Sequence, residues 1–544
     1  MKIYLKFTYI ILISILFVET SIAQSSSNKI NDNYTQQLIE KYYRDNGVST
    51  DLSLKPYYIL PSLRDSILNK VYQIDTSKNN SGNIFYRLFR NNLLSYKNQD
   101  FSVELNPLFN VDLGRGTNGA GTLSDRNFGF QLDINYKNKL FVSASDYENN
   151  SQFPTYIQHY SDSLSVVPGM GKSRQSGKNI NYNIPFGHVG YKLNDNFYFE
   201  IGQDKNFLGS GYRSLLLSDY AYSYPYLKII THLGDFTYTN IWGQFVDASN
   251  NWKPYGNNNE DSYPKKYGLF NYLTYSGLNK LQISAFQSMI WANYDSLGRK
   301  RSQEWGYFVP IMYLNALNFN NSSPDNSVIG LNLEYEFSKK IVGYGQLVID
   351  DFNISNFFKN KTGSYFQEKY GTQLGVKMWD VLGIQNSYLQ IEYNAVRPYV
   401  YANKEPRINY ATYNEPLAHP LGANFRELIV KGNYRLNRWL FKGELMYAQY
   451  GADSTNKSFG QNIHNSDYQA PNGVFSYGNV IGQGVNTHVL YVSASIDYLM
   501  NPITNSSFFL QLTHRGIRQY KNTVNDNFFY IGYRTNLRNF YKDF

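Results

Sequence analysis

From Phe101 onward, apolar and polar residues alternate with a period of two, the pattern of strands with one apolar and one wet face. Eighteen such runs are predicted: 101–112, 127–137, 139–147, 187–193, 197–204, 226–233, 235–247, 267–275, 281–291, 329–337, 341–351, 370–380, 387–397, 425–435, 439–450, 488–499, 507–516 and 527–537. In 127–137, Phe128, Phe130, Leu132, Ile134 and Tyr136 share one face, and Gln131, Asp133 and Asn135 share the other. In 329–337 the same sorting sets Leu331, Leu333, Tyr335 and Phe337 against Glu334 and Glu336. In 439–450 it sets Phe441, Leu445 and Tyr447 against Lys442 and Glu444. The last run places Phe529, Ile531, Tyr533 and Leu537 opposite Tyr530, Gly532, Arg534 and Asn536, and the chain ends in the aromatic Phe544.

The spacing between runs adds an architecture. Tight connections (Asn138, Asn194-Asp195, Gly234, Leu436-Asn437-Arg438) alternate with long ones at 113–126, 148–186, 205–225, 248–266, 292–328, 352–369, 398–424, 451–487 and 517–526. Short periplasmic turns alternating with long external loops, and an even strand count, predict an all-β transmembrane antiparallel up-and-down β-barrel of about 18 strands over 101–544, seated in the outer-membrane lipid. A charge on the lipid face would cost about 2–4 kcal/mol at the midplane, so the inward sorting of charges supports this register.

Residues 24–100 read differently. Tyr34–Tyr43 has helical character, Ser62 caps a second helix with Leu63, Ile67, Leu68 and Val71 on one face, and Ile84, Phe85, Leu88, Phe89 and Leu93 form a third stripe. These residues are expected to form a small periplasmic helical segment that plugs the barrel mouth. Ahead of it, Lys2 and Lys6, the apolar stretch from Phe7 to Val18, and Ser21-Ile22-Ala23 predict a signal peptide over 1–23.

Composition narrows the function. The 52 Tyr and 35 Phe suit aromatic girdles at both membrane interfaces. The absence of cysteine excludes thiol catalysis, iron–sulfur centres and disulfides. The net charge of +9, or +8 without Lys2, Lys6 and Glu19, is scattered rather than striped, which argues against nucleic acid. The seven His show no metal-ligand spacing and no nucleophile motif stands out, so neither metal nor cofactor is expected and the chain reads as a non-enzyme.

Two segments carry candidate chemistry. Gly202–Asp219 is glycine-rich but lacks the Gly-Lys-Ser/Thr ending of a phosphate loop. It is expected to fold inward, with Gln203, Asp204, Arg213 and Asp219 in a hydrogen-bonded network. The segment Arg397–Glu427 mixes aromatic rings, which stack on sugar faces, with amides and charges, which satisfy hydroxyls. The candidates for polysaccharide or partner contact are Arg397, Tyr399, Tyr401, Arg407, Tyr413, Asn414, Glu415, His419 and Asn424, with Arg213 and Asp219 from the first segment. The alternative reading is a loop that plugs the barrel and satisfies itself with the same groups.

The Gly209-Ser210-Gly211-Tyr212-Arg213-Ser214-Leu215 and Pro416–Phe425 segments, the helical N-terminus and the eighteen-strand count together resemble the Wzi-like capsule-assembly outer-membrane proteins. Within them the chain resembles the RemB-like gliding-motility branch of the Bacteroidetes. The resemblance implies a barrel closed from below by helices and a surface role, with polysaccharide or with gliding and surface-assembly proteins as partners. A porin-like channel or a partner-binding barrel of a secretion machine is the alternative.

Overall fold

The computed structural model describes residues 28–544 except 31, 49, 60, 73–86, 88, 90–91, 118–120, 248–262, 295–298, 302–304, 313–324, 352–364, 455–456, 472, 474–475 and 536–537. The signal peptide and most of the third helical stripe lie outside the described residues.

The wall is one antiparallel sheet. Its strands are β1 (Phe101–Gly116), β2 (Gly121–Tyr136), β3 (Leu140–Gln152), β4 (Phe186–Lys192), β5 (Phe197–Asp204), β6 (Tyr224–Leu233), β7 (Phe236–Val246), β8 (Lys265–Leu278) and β9 (Leu281–Ala292). They continue as β10 (Asn326–Ser338), β11 (Ile341–Asp351), β12 (Lys369–Trp379), β13 (Ser387–Val396), β14 (Phe425–Leu436), β15 (Trp439–Ala452), β16 (Val485–Asn501), β17 (Ser506–Gln519) and β18 (Asn522–Thr535). Each strand pairs with its sequence neighbours, and β18 returns to β1 with Phe528 opposite Gly116 and Arg534 opposite Asn110. The eighteen strands therefore close into a barrel with no free edge.

Side-chain sorting follows the predicted faces. Phe128, Phe130, Leu331, Leu333, Leu510, Leu512, Phe529 and Ile531 stand outward and exposed, whereas Glu334 and Asp497 are buried inside. An outward apolar belt on a closed sheet is what a bilayer requires of a strand-built protein. No described helix is long and apolar enough to cross a membrane.

Two expected long loops are instead strand. β1 and β2 pair up to Gly116 and Gly121, and β17 and β18 pair up to Gln519 and Asn522, so 113–126 and 517–526 are tall hairpins with short tips. Above the membrane a ribbon no longer needs apolar outward residues. Its hydrogen-bond ladder therefore persists where the period-two signal fades. The chain end also departs from expectation. The last strand stops at Thr535, and residues 538–544 turn back into the lumen instead of completing the wall.

The lumen is filled rather than open. At one end sit α1 (Asn33–Asp45), whose first turn is capped by Asp32 accepting from the Thr35 amide at 2.8 Å, and α2 (Pro61–Tyr72). Arg44 of α1 pairs with the inward Glu334 and Glu336 of β10, and Glu40 pairs with Lys377 of β12 at 3.0 Å. Further up, Leu208, Leu215, Leu216, Leu217, Val400 and Tyr410 from two loops pack against inward Phe245, Phe270, Phe286 and Ile290 in the largest buried cluster.

Candidate functional site: the lumenal plug and the external seam

The plug begins with the loop between β5 and β6, residues 205–223. Strand-borne polar side chains reach inward and hold its backbone. Glu392 of β13 accepts the amides of Tyr212 at 2.7 Å and Arg213 at 3.1 Å. It also accepts the Tyr344 hydroxyl at 2.8 Å and the Asn394 amide at 3.0 Å. Gln346 accepts the Leu215 amide at 2.8 Å, and Gln373 donates to the Arg213 carbonyl at 3.0 Å. The glycines permit this approach: a Cβ on Gly209 would lie 2.0 Å from Gln346 Nε2, and one on Gly211 would lie 2.6 Å from Glu392 Oε2.

Arg213, 1% exposed, is the hub. Its Nη2 donates to Asp543 Oδ2 at 2.9 Å and to the Asp543 carbonyl at 2.6 Å, and it lies 3.5 Å from Glu427 Oε1. Tyr212 and Tyr541 face the guanidinium at 5.0 and 5.1 Å. The segment folds inward as expected, but Gln203, Asp204, Arg213 and Asp219 do not form the expected network with one another. Arg213 and Asp219 do not join each other. Both engage the inturned tail, Asp219 through the Tyr541 hydroxyl at 2.5 Å, and Asp204 likewise pairs with Arg538 at 2.7 Å.

The second loop, 397–424, stacks on the first. Tyr401 and Tyr410 donate their hydroxyls to the carbonyls of Leu215 and Leu216, at 2.7 and 2.6 Å. Glu415 accepts the amides of Gly169 at 2.6 Å and Tyr222 at 3.0 Å, and burial pushes its carboxyl up to about 7. His419 Nδ1 accepts the Leu421 amide at 3.2 Å, which leaves Nε2 to donate to Glu427 at 2.7 Å. Burial holds this imidazole below its ordinary pKa, and both ring nitrogens are used internally. Arg397 donates to the Glu368 carbonyl at 2.6 Å and Tyr399 to the Ser458 carbonyl at 3.0 Å. Asn424 bridges the Gly451 and Gln483 carbonyls, both at 2.8 Å.

Seven candidate contact residues (Arg397, Tyr399, Tyr401, Glu415, His419, Asn424 and Arg213) are therefore interior groups paired with protein. Asp219 is half-buried on the tail. Arg407, Tyr413 and Asn414 remain partly accessible at the outer end. There the second loop meets 453–484: Ser466 donates to the Lys404 carbonyl at 2.8 Å, and His464 lies between Asn409 and the Asn414 carbonyl. This seam exposes Lys404, Tyr468 and Tyr477. The two tyrosines went unremarked in the sequence because they sit in a loop without periodicity; Tyr477 packs on Tyr365 with ring centroids 5.0 Å apart. A cavity of about 340 Å³ remains on the β14–β18 side of the lumen, between plug and wall, lined in part by Tyr34, Tyr156, Lys442, Asp497 and Arg534. Among the described residues no group of three or more His, Asp or Glu is placed to hold a metal.

A closed wall, an outward apolar belt and a lumen filled by the chain itself define an internally plugged outer-membrane β-barrel. Neither a protein-family model nor a curated protein sequence matches the chain. Among solved structures it is similar to Wzi, an outer-membrane protein involved in group 1 capsule assembly in Escherichia coli and a carbohydrate-binding β-barrel, at a TM-score of 0.54 and 13% identity over 93% of this chain and 99% of that one. It is also similar to OprD of Pseudomonas aeruginosa, at a TM-score of 0.41 and 9% identity over 79% of this chain and 94% of that one. The OpdK structure of the same organism gives 0.42 and 9%, over 79% and 98%. At these identities the likeness to Wzi is one of fold.

Proposed function

We propose that this protein is a non-enzymatic surface barrel that engages polysaccharide at the outer seam, in the attachment of surface glycan or in gliding motility. The observation that carries the reading is the plug: two loops and the tail fill the lumen and spend their polar groups on each other and on the wall. Carbohydrate binding by the structurally similar Wzi supports the ligand class. The seam supplies the chemistry, with Tyr413, Tyr468 and Tyr477 as stacking faces and Lys404, Arg407 and Asn414 for hydroxyls and acidic groups. The N-terminal helices would lie on the periplasmic side.

The test is binding of purified surface polysaccharide to the full chain and to a Tyr468→Ala/Tyr477→Ala/Arg407→Ala variant, alongside conductance in planar bilayers. Binding lost in the variant with a silent bilayer supports the reading. Binding indifferent to the seam, or a large steady conductance, replaces it. The cavity beside β14–β18 favours the second reading, a porin-like channel that runs along the wall.

A further inference from the structure

On a lipid-embedded barrel, outward side chains should be exposed in the protein alone. Across the upper parts of β7, β8 and β9 they are not. Outward Leu269 is 1% exposed, Asn271 and Gln287 2%, Asn240 3%, Met289 6% and Trp291 7%, against 41% for Leu331 and 44% for Leu333 on neighbouring β10. Ladder pairing places Asn240 beside Asn271, and Asn271 beside Gln287. A row of three amides therefore runs across a face that elsewhere carries apolar groups.

Against Tyr238, Trp242 and Trp291 of this wall lies the chain's own segment 305–312, from the connection between β9 and β10. Tyr307 stacks on Trp291 with ring centroids 4.3 Å apart, and its carbonyl accepts Trp242 Nε1 at 3.1 Å. Lower down, the Tyr238 hydroxyl donates to the Pro310 carbonyl at 2.9 Å and accepts the Met312 amide at 3.1 Å. Tyr238 pairs with Leu273, Leu273 with Ala285, and Ala285 with Leu331, so the segment descends to the ladder row of the lipid belt. Its other side presents Trp305, 85% exposed, Ile311, 56%, and Phe308, 48%.

We propose that residues 305–312 form a lid lying in the bilayer against the outside of the barrel, with Trp305, Phe308 and Ile311 in contact with lipid acyl chains. Two facts fix lipid as the occupant. The lid reaches the ladder row of the β10 belt with its apolar side outward, and the buried amides beside it would be costly if open to hydrocarbon, which gives a cover on this face its physical reason. The lid's own backbone is tolerable at this depth because Tyr238 and Trp242, outward residues of β7, satisfy part of it.

The chain has no cysteine, so single nitroxide labels report one site each. Trp305→Cys and, separately, Ile311→Cys are labelled in the full chain in phosphatidylcholine–phosphatidylglycerol vesicles. Leu331→Cys serves as the lipid reference and Tyr520→Cys, at a hairpin tip and 81% exposed in the parent residue, as the water reference. The expected result is high collision with oxygen and low collision with a nickel chelate, as at Leu331. Nickel accessibility like that at Tyr520 overturns the proposal by placing the segment in water. Inaccessibility to both reagents overturns it in favour of a protein-covered face, such as a second copy. In a Tyr238→Phe background the Trp305 label should gain mobility, and an unchanged lineshape overturns the anchoring.

Discussion

Replacing Arg213 by Met removes the one cation that Asp543 and Glu427 share in the plug. The substitution keeps most of the volume but takes a donor from the Asp543 carboxyl, which burial and the neighbouring Glu444 already push up to about 8. Each buried acceptor left without its donor costs about 1–3 kcal/mol, and the Asp543 carboxyl and carbonyl both lose one. Glu427 retains His419 at 2.7 Å and the Asn394 amide at 3.0 Å, whereas Asp543 loses its 2.9 Å partner and keeps the Tyr212 hydroxyl at 3.1 Å, so most of the penalty falls on the tail. The effect should be local, because the wall ladder does not involve Arg213. The assay is hydrogen exchange of peptides covering 208–217 and 538–544 in the reconstituted protein, in which local opening reads out directly. At about 1.4 kcal/mol per factor of ten, protection should fall roughly 10²- to 10³-fold there and hold in β10–β13. A fall below tenfold would refute the assignment of Arg213 as the hub.

Three further outcomes follow from the same geometry. His464 is held neutral, down to about 4, by burial and by the nearby Lys266 cation, against the opposing pull of the Asn414 carbonyl, so its folded pKa lies below the ordinary 6.5. The contribution of the neutral ring is present above pH 6.5 and lost as pH falls towards 4. The loss amounts to about 1–3 kcal/mol after discounting for partial exposure, and proteolysis of the 453–484 loop should accelerate over that window in wild type but not in His464→Gln. Gly209→Ala places a methyl group 2.0 Å from Gln346 Nε2 at a φ of +142°; it should displace the 205–223 loop by about 1–3 kcal/mol, and unchanged exchange in Leu208–Leu215 would count against the close approach. Arg44→Ala strips Glu334 and Glu40 of their shared cation and should expose 33–72 to protease while the heat-resistant gel mobility of the barrel persists; an intact N-terminal segment would show that α1 is held by other contacts.

The wall was legible because lipid and lumen impose opposite demands on successive residues, so each membrane-spanning run carries its own signature. Phe128 and Phe130 against Asp133, or Leu331 and Leu333 against Glu334, could be sorted without coordinates. The signature ends where that constraint ends. Hairpin tops such as 113–116 and 517–519 read as loops because water on both faces removes the alternation. The inward fold of 205–223 was readable from Gly209 and Gly211 beside Arg213, but its partners were not, since Glu392, Gln346 and Asp543 come from distant positions. The tail 538–544 carries no period at all. The lid within 292–328 is disguised by length, because a long connection at the external end looks the same whether it rises from the barrel or descends its flank.

The plug also constrains where any solute could pass. Ejecting 205–223 from the barrel axis would strip Glu392 of two donors and leave Gln346 and Gln373 facing vacated space. Each buried polar group left unmade costs about 1–3 kcal/mol, so the axis does not open thermally. Flow, if the porin reading holds, must follow the cavity between plug and wall, where Lys442 and Arg534 pair with Asp497 at 2.6 and 3.2 Å. The two readings therefore separate by residue. Conductance that changes selectivity in Asp497→Asn but not in Arg213→Met belongs to a wall-side channel. A silent barrel whose polysaccharide binding follows Arg407, Tyr468 and Tyr477 belongs to a surface anchor whose lumen is a scaffold for its seam.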